Sequence, residues 1–347
     1  MHHLSYGDVK TAADRVGTGV RPVAVARADV GGDVGGDVGG DVGAASTGGA
    51  SGAPDFELFF ALEFMQHTGS FKARGALNFL LAHREREELP AAGVTLASGG
   101  NAGLACAWAA RGLGVPATVF LPETAPQVKV ERLHAYGADV RLVGTEYADA
   151  ATACEAFAAD TGALASHAYD HPLIAAGAGT LVEEIRAHVP LVDTVVVSVG
   201  GGGLFAGVAA AAQHHGIRVV AVEPERCRAL NAALEAGRVV DVPVDSVAAD
   251  SLGARRASPM ALAAAGTRNV RSVLVSDEAV VSARRELWER YRLAVENGAA
   301  TAVSAIRGAV AAPDGADGQS APYVPSPGER VVVVLCGGNA DPGEPTH

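Results

Sequence analysis

The chain has 347 residues, 49% of them hydrophobic and with alanine, glycine and valine prominent, which suits two domains with a sizeable core. Its formal net charge is −12 and its cations do not cluster, which argues against nucleic acid and anionic membranes as partners. Four scattered cysteines without a C-x-x-C pair, the absence of a signal-peptide pattern and the lack of a bilayer-length apolar run predict a reduced, cytoplasmic protein with no zinc site.

Residues 30–52 repeat Gly-Gly-Asp-Val and trail into Ala, Ser, Thr and Gly. With few large apolar residues to bury, this segment reads as a flexible surface insertion. From Phe56 onward, strand-like and helix-like runs alternate. Strands are predicted at 57–62, 94–97, 117–121, 139–143, 194–199, 217–222, 272–276 and 331–335. Helices are predicted near 72–82, 102–112, 126–136, 147–160, 178–188, 204–214, 228–236, 278–296 and 299–311. Alternation at this spacing predicts a doubly wound, parallel α/β architecture. Residues 312–330 are rich in Pro, Gly, Asp and Ser and read as a loop. His214-His215 reads as a solvated helix end rather than a ligand pair.

Three stretches carry chemistry. Thr68-Gly69-Ser70-Phe71-Lys72-Ala73-Arg74-Gly75 places a lysine among small residues where a helix begins. A lysine there can form a Schiff base with an aldehyde cofactor, although an exposed first-turn lysine is the plain alternative. Ser198-Val199-Gly200-Gly201-Gly202-Gly203-Leu204 follows the apolar run Val195–Val197 and precedes an alanine-rich helix. Strand, four glycines and helix make a phosphate cradle, because bare backbone N–H groups and the helix dipole can face one anion. The stretch is neither a P-loop nor a G-x-G-x-x-G fingerprint. Val331–Cys336 reads as a buried strand ending on a cysteine, at the end of a parallel strand where ligands sit.

Schiff-base lysine, phosphate cradle and strand-end polar atom together suit pyridoxal phosphate. Thr68–Ala76 resembles the cofactor-lysine motif of the serine/threonine dehydratases, a family of the tryptophan-synthase-β-like, fold type II pyridoxal-phosphate enzymes. The likeness runs in order from about Arg21 to Asp341, interrupted near residues 28–54. It includes Ala97–Gly103, Gly112–Ala117, Leu121–Pro126, Lys129, Tyr136–Ala138, Gly177–Ile185 and Val222–Pro224. The resemblance implies two domains, a small one at 93–170 inserted into a large one formed by 1–92 and 171–347, with the cofactor in the cleft between them. It implies cofactor contacts from Phe71, Lys72, Asn101, Gly200, Gly201, Gly202, Gly203, Leu204 and Cys336. Ser98, Gly99, Gly100, Asn101 and Ala102 would grip the substrate carboxylate. Lys72 would carry the cofactor and act as the catalytic base. Cys336 would meet the pyridine nitrogen as a neutral partner, favouring β-elimination over transamination.

The activity so implied is dehydration and deamination of L-threonine, L-serine or both, by a homodimer. Gly99 lacks the hydroxyl that serine racemases use at this position, and Lys72-Ala73-Arg74 lacks the Lys-Asp-Arg usual in threonine synthase and cysteine synthase. Departures from the pattern lie at Arg21-Pro22, Ala102, Ala178 and Glu296-Asn297-Gly298-Ala299, so another β-substituted amino acid is an alternative substrate. A non-catalytic relative that binds cofactor or amino acid is the alternative from a different class. Glu223 aligns with a cation-binding carboxylate of relatives. The acidic partner expected six positions later is Ala229, which leaves a monovalent ion held mainly by carbonyls as the cation the resemblance allows.

Overall fold

The computed structural model describes residues 4–29, 56–306 and 323–340. The insertion predicted at 30–52 and most of the loop predicted at 312–330 lie outside the described residues.

Helix α1 (Tyr6–Val16) opens on a reciprocal cap: Asp8 N–H donates to Ser5 Oγ, and Ser5 N–H donates to the Asp8 carboxylate at 2.8 Å. It buries Val9, Ala12 and Val16, the spacing of one helical face. Strand β1 (Val25–Ala28) pairs antiparallel with β2 (Glu57–Ala61). Neither α1 nor β1 is among the predicted elements. Val-Ala-Arg-Ala is short and only its last residue is buried, so its strand form comes from β2.

There follow α2 (Lys72–Glu85), β3 (Val94–Ala97), α3 (Asn101–Gly112), β4 (Ala117–Leu121), α4 (Gln127–Ala135), β5 (Asp139–Leu142), α5 (Tyr147–Thr161) and the two-residue β6 (Leu164–Ala165). Strands β3 to β6 form a parallel sheet in the order β5-β4-β3-β6. This sheet and α3 to α5 fall within the 93–170 segment.

The chain then forms α6 (Pro172–Gly179), α7 (Leu181–His188), β7 (Thr194–Ser198), α8 (Gly203–His214), β8 (Arg218–Pro224), α9 (Ala229–Ala236), α10 (Ala249–Leu252), α11 (Pro259–Ala265), β9 (Val270–Val275), α12 (Asp277–Tyr291), α13 (Asn297–Ser304) and β10 (Arg330–Val334). The helix predicted at 178–188 is two helices, broken at Thr180, whose Oγ1 turns back to the Gly177 carbonyl at 2.8 Å. Helix α12 stops five residues short of its predicted end because Arg292 adopts a left-handed cap.

The larger sheet runs β1-β2-β10-β7-β8-β9, parallel except for β1 at its edge. Val195–Val197 and Val331–Val334 are fully buried at its centre. Such continuous valine runs suit strands covered on both faces, and each buried valine contributes roughly 1.5–3 kcal/mol. This packing fixes the C-terminal ends of β7 and β10, where the next residues are the glycine run and Cys336.

Candidate active site

Lys72 is the first residue of α2, delivered by a turn the backbone does not favour. Thr68 is β-branched yet sits at φ 64°, and the Oγ atoms of Thr68 and Ser70 are buried without a hydrogen-bond partner. The turn is stitched to the end of β10: Phe71 N–H donates to Cys336 O at 3.0 Å, and Gly338 N–H donates to Gly69 O at 2.9 Å. Strain of this kind persists only where neighbouring structure over-determines it. Two residues on, fully buried Arg74 supplies an anchor. Its guanidinium donates to Glu63 at 2.6 and 2.9 Å and to Glu184 at 2.5 and 2.9 Å.

The Lys72 amine donates to Ala168 O at 3.0 Å. Desolvation lowers its pKa, opposed chiefly by the charge of Glu296. A lysine so placed releases its proton more readily than a solvated one, which a nucleophilic or basic amine requires.

Gly200–Gly203 form the turn from β7 into α8. Gly202 is the helix cap at φ 93°, a left-handed conformation that suits glycine. A side chain at Gly201 would run into the Tyr169 ring. The first N–H groups of α8 have no carbonyl one turn back, so this end of the helix is an anion site by construction. Helix α3 presents a second such end, with Ser98–Gly100 leading into it and Asn101 as its first residue.

Phe71, Lys72, Ser98, Gly99, Gly100, Asn101, Ala102, Gly200, Gly201, Gly202, Gly203, Leu204 and Cys336 line one cleft of about 750 Å³ between the two sheets. Every cofactor and substrate residue named from the sequence is therefore brought to one space. Cys336 is buried, and burial pushes its thiol far above the ordinary range, so it stands there as a neutral group. Glu223 lies elsewhere. It is fully buried and accepts N–H bonds from Leu230 and Asn231, both at 2.7 Å, which caps α9. Burial pushes this carboxyl up to about 8, against the pull of those two donors. Among the described residues no group of three His, Cys, Asp or Glu is placed to hold a metal ion. His214 stacks on Tyr6 at 3.8 Å, and His215 meets Glu183 at 2.6 Å, so the helix end is packed as well as solvated.

The sequence reading did not assign Glu296, Asn339, Arg132 or Tyr169 to the site. Glu296 and Tyr169 line the cleft, and Asn101 Nδ2 donates to both Glu296 oxygens at 2.9 and 3.0 Å. The Glu-x-Gly-Ala run at 296–299 is the one local signal that could have flagged Glu296.

A phosphate-bearing aldehyde fits this donor set. An amine of depressed pKa would take the aldehyde, a side-chain-free helix N-terminus would take the phosphate, and a neutral thiol would face the ring nitrogen. Comparison with known proteins agrees. The sequence profile described as pyridoxal-phosphate dependent enzyme matches residues 46–337. An L-threonine ammonia-lyase of Geobacter sulfurreducens is 36% identical over 286 residues, covering 82% of this chain and 67% of that one. A serine dehydratase-like protein of Homo sapiens is also 36% identical over 286 residues, covering 81% and 85%. The serine racemase of maize superposes with a TM-score of 0.81 at 26% identity, over 99% of this chain and 95% of that one. The chain thus belongs to the pyridoxal-phosphate dependent enzymes of fold type II, the tryptophan-synthase-β-like group that includes the serine/threonine dehydratases.

Proposed function

We propose that this protein is a lyase that eliminates the hydroxyl of L-threonine, L-serine or both as water and, once water hydrolyses the resulting imine, releases ammonia and a 2-oxo acid. The observation that carries the reading is Cys336. A buried, protonated thiol in the same cleft as Lys72 is a weak partner for a ring nitrogen, which favours elimination over transamination. The names of the two sequence relatives support the same substrates. When bound, pyridoxal phosphate supplies an electron sink for the bond-breaking at the amino acid's α-carbon.

The chain's own groups do the rest. Lys72 would hold the aldehyde and, once freed, accept the α-proton on Nζ. The N-terminus of α8 would hold the phosphate. Ser98–Ala102 and the N-terminus of α3 would take the substrate carboxylate. Racemisation is the rival that the maize structure raises. Against it, Gly99 offers no hydroxyl. A cation at Glu223 would have to share a carboxylate that already caps α9, and it plays no part in this reading. The homodimer and the cytoplasmic setting belong to the proposal too. A solution mass near the 35.0 kDa of one chain would remove the dimer.

The test mixes cofactor-loaded protein separately with L-serine and L-threonine and follows 2-oxo acid and D-serine. Release of 2-oxo acid supports the lyase and ranks the two substrates. D-Serine without 2-oxo acid would replace the lyase with a racemase. Neither product, from protein that retains the cofactor's visible absorbance, would move the reading to another β-substituted amino acid or to a non-catalytic binder.

A further inference from the structure

Asn101 is tied to the large domain by a chain of hydrogen bonds that can run in one direction only. Arg132 on α4 donates from Nη2 to Asn339 Oδ1. Asn339 Nδ2 donates to Asn101 Oδ1 at 2.6 Å and to Thr68 O at 2.7 Å. Asn101 Nδ2 donates to Glu296 Oε1 and Oε2. A guanidinium can only donate and a carboxylate can only accept, so the two ends dictate how both asparagine amides between them are turned. The chain links α3 and α4 of the small domain, the strained turn before Lys72, the segment after β10 and the residue that opens α13. Glu296 is further held by its own N–H on Gly337 O at 3.1 Å.

We propose that Glu296 is a positioning residue of the site: its carboxylate anchors this one-way chain, fixes the orientation of the Asn101 amide and supplies the negative charge that faces Lys72. The proposal rests on the reading of Lys72 and Asn101 as cofactor-holding residues. It differs from a merely structural role, because a glutamine of the same shape would fill the space yet offer neither the charge nor an acceptor-only end. The groups facing Glu296 are Lys72 from α2, Cys336 after β10 and Asp250 from α10, the last paired with Lys129 at 2.6 Å; His167 is close enough to Lys72 to feel its charge. Burial raises the Glu296 pKa, Asn101 and Lys72 lower it, and Glu296 in turn raises that of Lys72.

The test uses cofactor-free full-length protein, so it does not depend on turnover. Lys72 is methylated with formaldehyde and cyanoborohydride across a pH series and read by peptide mass spectrometry, and pyridoxal phosphate affinity is titrated alongside. In Glu296→Gln the midpoint of Lys72 labelling should fall by about one pH unit, and cofactor binding should weaken about tenfold. Glu296→Asp, which keeps the charge, should hold the midpoint near that of the wild type. A Glu296→Gln profile that superimposes on the wild type would overturn the proposal, as would an aspartate variant that moves as far. Arg132→Met, a change on half-buried α4, covers the case in which Glu296→Gln does not fold. It should weaken cofactor binding about tenfold while leaving the Lys72 midpoint in place, and unchanged affinity would overturn the one-way chain. Failure of the lyase reading would show separately, as absent turnover in a wild type whose Lys72 labelling still responds to Glu296.

Discussion

Two cations stand two positions apart at the start of α2 and meet opposite surroundings. Arg74 faces inward, fully buried, with two carboxylates closed around it. Lys72 faces the cleft, where its hydrogen bond goes to one carbonyl. The burial that the ion pairs offset at Arg74 falls on Lys72 as a lowered pKa. The residue types match the tasks. A guanidinium does not surrender its proton and matches carboxylates in forked pairs, whereas an ammonium shifts readily when desolvated. One turn of helix thus divides into an anchor and a reagent, and the anchor is what lets the strained turn at Thr68 hold the reagent in place.

The largest effect that would break this contrast is on the reagent side. Lys72→Ala should lower 2-oxo acid release by at least about 10³-fold, while the thermal melt of the cofactor-free protein stays the same or rises. A variant that turned over normally would take Lys72 out of the chemistry. On the anchor side, Arg74→Leu should cost roughly 3–5 kcal/mol in urea unfolding, because it leaves buried Glu63 without its counter-charge. Arg74→Lys sharpens the point. It keeps the charge but loses the forked geometry, and should cost about 1–3 kcal/mol. A lysine that restored full stability would mean that charge alone anchors the helix.

The smallest effect concerns Glu223, a buried carboxylate met by N–H donors instead of a cation. Its pKa rises from an ordinary 4.5 to about 8, so between those values the folded chain binds a proton that the unfolded chain has lost. Its contribution to stability is therefore complete below about 4.5 and disappears as pH rises through about 8, with a slope of up to about 1.4 kcal/mol per pH unit. In melts between these limits the wild type should lose stability relative to Glu223→Gln as pH rises. Parallel curves would mean that the start of α9 keeps this carboxylate ionised.

The residues legible in advance share a property: each sits in a local pattern whose chemistry does not depend on its partners. Lys72 begins a helix after small residues, four glycines separate a valine strand from an alanine-rich helix, and Cys336 ends a valine strand. The contacts that were not legible join residues far apart along the chain. Asn101 and Glu296 meet across 195 positions, and Lys72 reaches a carbonyl 96 positions away. Glu223 ended in a helix cap because α9 folds back over it, which no spacing around residue 223 announces.

By itself, then, the sequence determined the alternation of strands and helices, the two buried valine strands and the lysine, glycine run and cysteine at their ends. Those follow from periodicity, burial and backbone freedom, which act within a few residues. Only the tertiary structure decided that β1 pairs at the sheet edge, that Thr180 divides α6 from α7, and that Glu296 closes a hydrogen-bond chain beginning on Arg132. Those depend on which donor meets which acceptor once the two sheets and their helices are side by side, and a hydrogen bond is specified by its geometry, not by its neighbours in sequence.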